Sequence, residues 1–289
     1  MMVVSFSYKV KKEITASNIK NAMMELCGIY IFLNSNPSSQ TFVKIENDLV
    51  LKRVKNLLTT GNSKDYFSLE KVFGDKFILT FNNSKKSCLE LVKNAFSEKI
   101  ENAFTSDFVK GAFLACGSIA NPETEYHLEF NILDKKCCDL LLEILNSIVF
   151  LNLKLKNIKR RDNFVLYIKN SDKITDFLTY IDCKNCSMEI MEIKIIKEVR
   201  NNINRTTNFE TANLSKTTNS SAIQINAIKK IKNTIGLESL PEHLKETAEI
   251  RLSNPYISLQ EMTKLYKNPV SKSGINHRFK KLIDMAKNL

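Results

Sequence analysis

Apolar residues recur at helical spacing in short blocks along the chain, and strand-like runs fall between the blocks. Phe6, Val10 and Ile14 share one side of an amphipathic segment over residues 6–15. The stretch Ser17–Gly28 then aligns without gaps on Ser106–Gly117, with the same opening serine and the same closing Cys-Gly pair. Each copy predicts a helix opened by its serine and closed by its glycine. Strand-like runs follow, Ile29–Leu33 and Gln40–Ile45 after the first copy and Tyr126–Leu133 after the second. Next come a helix (Asp48–Leu58; Asp134–Ile148), two strands (Phe67–Val72 and Lys76–Phe81; Leu153–Lys159 and Phe164–Ile168) and a closing helix (Lys85–Phe96; Ser171–Tyr180). The pattern predicts an α+β fold built on a duplicated αββαββα unit, with halves at about 1–100 and 101–199. Gly111, Ala112 and Ala115 give the second repeated helix a small-residue surface that suits close approach to its counterpart.

Residues 200–221 are rich in Asn and Thr and nearly free of apolar periodicity, which predicts a loose linker. Beyond it the helical period returns and predicts an all-helical domain over 222–289. Ile223, Ala227, Ile228 and Ile231 face inward on a first helix, and Leu244, Ala248 and Leu252 on a second. Ser258 followed by Glu261 is a capping box for a short third helix whose apolar side is Leu259, Met262 and Leu265. Asn268-Pro269 breaks it. A fourth helix starts at Ser271 or Ser273, with Ile275, Phe279, Leu282, Ile283 and Ala286 inward. Its other side carries Ser273, His277, Lys280 and Lys281, with Lys272, Asn276 and Arg278 at the flanks. Two readings of the last pair stand on pattern alone: a helix-turn-helix that enters a major groove, or an amphipathic hairpin with a solvated basic face.

Charge favours the first. The chain of 289 residues has a formal net charge of +12, and from Lys197 onward 16 Lys and Arg face 8 Asp and Glu. The basic excess therefore concentrates where the helix-turn-helix pattern lies, as a polyanionic partner requires. A second basic cluster, Lys154, Lys156, Lys159, Arg160 and Arg161, crowds one predicted hairpin, and Arg200 and Arg205 stand in the linker. All are candidate phosphate contacts, the alternative being solvated basic turns. Seven cysteines without regular spacing predict no disulfide framework, and the lone Cys183/Cys186 pair has no second pair or histidine near it in sequence. No metal or cofactor is expected. No run reaches the roughly 20 apolar residues needed to span a bilayer, so no membrane partner is expected and the cytoplasm, at the nucleoid, is the expected location.

The repeated helix ending in a small residue, any residue and Gly resembles the LAGLIDADG signature of homing endonucleases. The chain as a whole resembles the bacterial WhiA regulators, which join such a domain to a helix-turn-helix. The resemblance rests on residues 5–14, 110–118, 125–129, 200–205, 210–214, 234–237 and 271–278. In the nucleases an acidic residue precedes each closing glycine and holds a divalent ion; here Cys27 and Cys116 stand at those positions. A neutral thiol is a poor ligand for a hard cation, so a degenerate, non-catalytic domain is expected. The resemblance implies a sequence-specific regulator of double-stranded DNA acting in cell division, chromosome segregation or sporulation, with another transcription factor or RNA polymerase as protein partner. The expected DNA contacts are Ser258, Ser271, Lys272, Ser273, Asn276, His277, Arg278, Lys280 and Lys281. The rival is a protein-interaction scaffold of the division machinery, and an active endonuclease ranks third.

Overall fold

A computed structural model describes residues 5–33, 42–73, 76–82, 88–97 and 102–289. Chain contacts divide into two units, Met1–Lys197 and Glu198–Leu289. Gln40, Thr41 and residues 85–87, predicted to begin a strand and a helix, lie outside the described residues.

The first unit opens with α1 (Phe6–Ala16), capped by Ser5 and burying Phe6, Val10 and Ile14 as their spacing predicts. The first half continues with α2 (Ala22–Leu33), β1 (Phe42–Ile45), α3 (Asp48–Leu58), β2 (Phe67–Phe73), β3 (Lys76–Phe81) and α4 (Cys88–Ser97). The second runs through α5 (Asn102–Cys116), β4 (Gly117–Ile119), β5 (Leu128–Ile132), α6 (Lys135–Ser147), β6 (Lys156–Arg160), β7 (Asn163–Ile168) and α7 (Ser171–Tyr180). The antiparallel sheets have strand orders β1-β3-β2 and β4-β5-β7-β6. Three strands thus recur in the same order, and α2 packs along α5 at the centre of the unit. The duplication and the helix pair are as the repeat predicts.

The register of that pair is not. Gly28 lies within α2 rather than at its end, and neither Gly28 nor Gly117 has the positive φ of a glycine helix cap, whereas Gly61 and Gly236 have positive φ. A Cβ on Gly28 would overlap the Phe108 carbonyl and lie 2.9 Å from Ala112 N. A Cβ on Gly111 would overlap the Glu25 carbonyl and lie 2.9 Å from Ile29 N. The helices therefore cross where Gly28 meets Gly111, so the first Cys-Gly pair faces Gly111 and not the second Cys-Gly pair. The predicted serine caps fall with that alignment. Ser17 ends α1, Asn21 caps α2 by accepting from Met24 N at 2.9 Å, and Ser106 sits inside α5 donating to the Tyr180 carbonyl. The predicted strand Ile29–Leu33 is the last part of α2. Its residues are buried nearly all round, and such a run has no period that separates helix from strand. Because each crossing glycine meets backbone, Gly111→Val is expected to lower stability by roughly 3 kcal/mol, measured by urea unfolding.

Around the first turn of α2 and the middle of α5 a polar network closes the packing. Arg53 of α3 grips Glu25 through two bonds, Nε to Oε1 at 2.7 Å and Nη2 to Oε2 at 2.9 Å, with both side chains buried. Its Nη1 donates to the Ser17 carbonyl at 2.7 Å. Lys110, also buried, lies 3.1 Å from Asp107 and 3.0 Å from Asp182. Each buried charge meets an opposite one, as the low-dielectric interior demands.

Helix α8 (Lys184–Thr234) runs 51 residues without interruption. The loose linker predicted over residues 200–221 is therefore helical. Asn and Thr are weak helix formers, but no Gly or Pro stands between Lys184 and Thr234 to end the helix. The second unit adds α9 (Glu242–Ser253), α10 (Leu259–Met262) and α11 (Lys272–Lys287). Its core joins Ala227, Ile228 and Ile231 of α8 to Leu244, Ala248, Met262, Ile275, Phe279, Leu282 and Ala286.

Candidate nucleic-acid interface

The short helix α10 is set by the predicted capping box. Ser258 N donates to Glu261 Oε2 at 2.7 Å, and Glu261 N donates to Ser258 Oγ at 3.2 Å. This engagement makes Ser258 first a cap, not a free DNA contact. Two apolar expectations change here. Ile223 and Leu265 are exposed, while Tyr266 turns inward and donates from its hydroxyl to Thr247 Oγ1 at 3.1 Å. Because α10 stops at Met262, helical spacing no longer assigns the side of Leu265. The turn leads to Ser271, which caps α11 by accepting from Gly274 N at 3.1 Å and so settles the choice between Ser271 and Ser273.

Ile275, Phe279, Leu282 and Ala286 anchor α11 on the core. The opposite side presents Lys272, Ser273, Asn276, His277, Lys280 and Lys281, all exposed. Arg278 does not join them. It is half-buried, donates to the His243 carbonyl at 3.2 Å and to Thr247 Oγ1 at 3.4 Å, and its guanidinium lies 5.2 Å from the Tyr266 ring. Those bonds tie α11 to α9, so Arg278 holds α11 in place instead of reaching outward. Arg251, missed by sequence reasoning, has a parallel task. It is buried, donates to the Ile257 carbonyl at 2.8 Å and lies 5.2 Å from the Phe279 ring. Only its position on the inner stripe beside Ala248 signalled this.

In the first unit, the crossing glycines decide which positions correspond. The residue as far past Gly28 as Cys116 is past Gly111 is Leu33, so Leu33 and not Cys27 is the counterpart of Cys116. Cys27 is buried mid-helix. Cys116 Sγ donates to the Ala112 carbonyl at 3.3 Å, and burial pushes its thiol well above its ordinary value. Glu25 precedes the crossing and is held by Arg53. Glu25, in the first turn of α2, and Asp107, near the middle of α5, lie two turns or more from Leu33 and Cys116. Burial, working against Arg53, raises the Glu25 carboxyl above its usual range. Among the described residues no group of three or more His, Cys, Asp or Glu is placed to hold a metal ion. Cys183 and Cys186 are buried and kept protonated, their pKa values raised chiefly by burial and next by the Glu13 carboxylate. Glu13 also caps α8, accepting from Asn185 N at 2.8 Å and Cys186 N at 3.0 Å.

The strand registers place the basic hairpin residues. Lys156 and Arg160 stand opposite Tyr167 and Asn163, on the side of the sheet turned away from the helices. Lys159 lies on the other side, 6.0 Å from the Phe164 ring, and Arg161 occupies the turn with φ 56°. Arg160 is 3.4 Å from Glu129, and Lys154 precedes β6. The hairpin cluster therefore splits between faces. In the first half the open side carries Lys44 and Glu70, both opposite Ile78. Positive charge on these sheets is sparse. Arg200 and Arg205 are exposed on α8.

No helix among the described residues is long and apolar enough to cross a membrane. The WhiA LAGLIDADG-like domain family matches residues 105–200, and the WhiA C-terminal HTH domain family matches residues 203–286. Probable cell division protein WhiA of Clostridium novyi is 35% identical, over 99% of this chain and 98% of its own length. Its namesake in Clostridium tetani is 36% identical over the same shares. The crystal structure of full-length WhiA from Thermotoga maritima superposes with a TM-score of 0.59 at 29% identity, covering 99% of both chains. The chain, a LAGLIDADG-like domain joined to a helical helix-turn-helix region, belongs to the WhiA family.

Proposed function

We propose that this protein is a sequence-specific, double-stranded DNA-binding regulator of transcription that acts in cell division and has no nuclease activity. The observation that carries this reading is the outer side of α11. Six polar side chains stand exposed on a helix whose inner side is locked into the core, three of them lysines and the others able to read base edges. Ser273, Asn276 and His277 meet bases near the start of the helix, where a recognition helix enters the major groove. Lys272, Lys280 and Lys281 hold phosphates. Asn276→Ala is expected to lose about 1–3 kcal/mol of discrimination at one base position while keeping its non-specific affinity, read by footprinting on genomic fragments. Equal preference in both proteins sinks the base-reading role.

The reading without nuclease activity rests on Leu33 and Cys116, where a cleavage site needs paired carboxylates. Plasmid incubated with the protein and Mg²⁺ or Mn²⁺ is expected to stay uncut. The sparse charge of the sheet faces supports a scaffold role for the first unit, with another transcription factor or RNA polymerase as its partner.

A further inference from the structure

We propose that the second half of the LAGLIDADG-like unit contains a binding site for a nucleoside di- or triphosphate, separate from the helix-turn-helix. The site is an open cleft of about 590 Å³ between the start of β6, the end of β7 and the start of α7. That volume lies within the range of small-molecule sites. Four lysines line it, Lys154, Lys156, Lys169 and Lys173, and no carboxylate does.

The lysines are not neutralised from elsewhere. Among the described residues, Lys154, Lys156 and Lys169 have no ion pair, and Lys173 is the one with a carboxylate near, Asp176 at 3.4 Å. Lys173 also donates to the Leu151 carbonyl at 2.8 Å, which fixes its ammonium at the cleft and leaves a third N–H for a ligand. Asp172, in the first turn of α7, is held by Lys194 at 2.5 Å and does not line the cleft. Three of these four cations line one cleft without a paired carboxylate, and a polyphosphate relieves the repulsion among them.

A flat wall completes the cleft. Tyr167 lines it, its ring stacked on His127 with centroids 5.5 Å apart and planes 23° apart. Such a surface suits a planar base beside the phosphates. The tip of the basic hairpin, Arg160 and Arg161, is not part of the lining, so the site is a concave pocket for a small anion and not a track along a nucleic-acid backbone. Lys154 holds φ at 51°, a left-handed backbone that disfavours a lysine, so its side chain is kept here against a local conformational cost.

Titration calorimetry on the full chain tests this with ATP, ADP, inorganic pyrophosphate and duplex DNA as probes. Saturable binding of ATP and of pyrophosphate is expected, with ATP at least threefold tighter. The Lys154→Gly, Lys169→Gln double variant should bind ATP at least tenfold more weakly without a lower thermal midpoint, because glycine suits the left-handed position. Tyr167→Leu should weaken ATP and spare pyrophosphate. Absence of saturable binding by ATP and pyrophosphate at millimolar concentration overturns the proposal. So does unchanged ATP affinity in the double variant, or a loss in that variant confined to duplex DNA.

Discussion

Alanine at both Lys280 and Lys281 is expected to weaken duplex binding on the order of 50-fold at 0.1 M salt and to flatten the logarithmic salt dependence by roughly 1.8. Each phosphate contact on B-DNA releases counterions and contributes about 0.9 to that slope, so two lost contacts set both figures. The loss should be the same on specific and random sequences, since phosphates carry no sequence information. Both lysines are exposed on the outer side of α11, without an ion pair among the described residues, so the fold should be unaffected. Filter binding across a salt series reads all three outcomes. Arg278, by contrast, should affect the fold: its bonds to His243 and Thr247 join α11 to α9.

Arg53→Met should cost roughly 3–5 kcal/mol of stability at neutral pH, the usual loss when one partner of a buried ion pair is removed. The pair is 1% and 0% exposed, so water cannot replace the guanidinium. Glu25 is already raised by burial with Arg53 in place, and without Arg53 it should rise further. A carboxyl whose folded pKa lies above its unfolded value contributes stability at low pH and loses it as pH rises through the folded value. The variant should therefore lie closest to the parent near pH 4 and fall away toward pH 8. The Arg53→Met, Glu25→Met double variant should recover most of the loss, which urea unfolding at the two pH values would show.

The duplication and the second helix-turn-helix helix were legible because both rest on local chemistry. Ser258 with Glu261, and Ser271 ahead of Ile275 and Phe279, are caps and periods read directly from neighbouring residues. What misled is non-local. Two Cys-Gly pairs align in sequence, yet helix crossing is set by where backbones can touch, and only Gly28 and Gly111 allow that contact. The aligned sequence thus pairs Cys27 with Cys116, whereas the crossing pairs Leu33 with it. Residues 29–33, apolar on every side, have no period that betrays their helix. Residues 200–220 have no buried face, so their helix leaves no apolar stripe to find. Arg278 read as a phosphate ligand because its flank position gave no sign of His243 and Thr247 across from it.

Chromatin immunoprecipitation of the native protein beside its Lys280→Ala, Lys281→Ala variant tests the central claim most directly. Sharp, reproducible peaks sharing one motif are expected for the native protein, and their collapse in the variant. Peaks that survive the double substitution, or a native protein without peaks, would contradict the assignment of α11 to DNA.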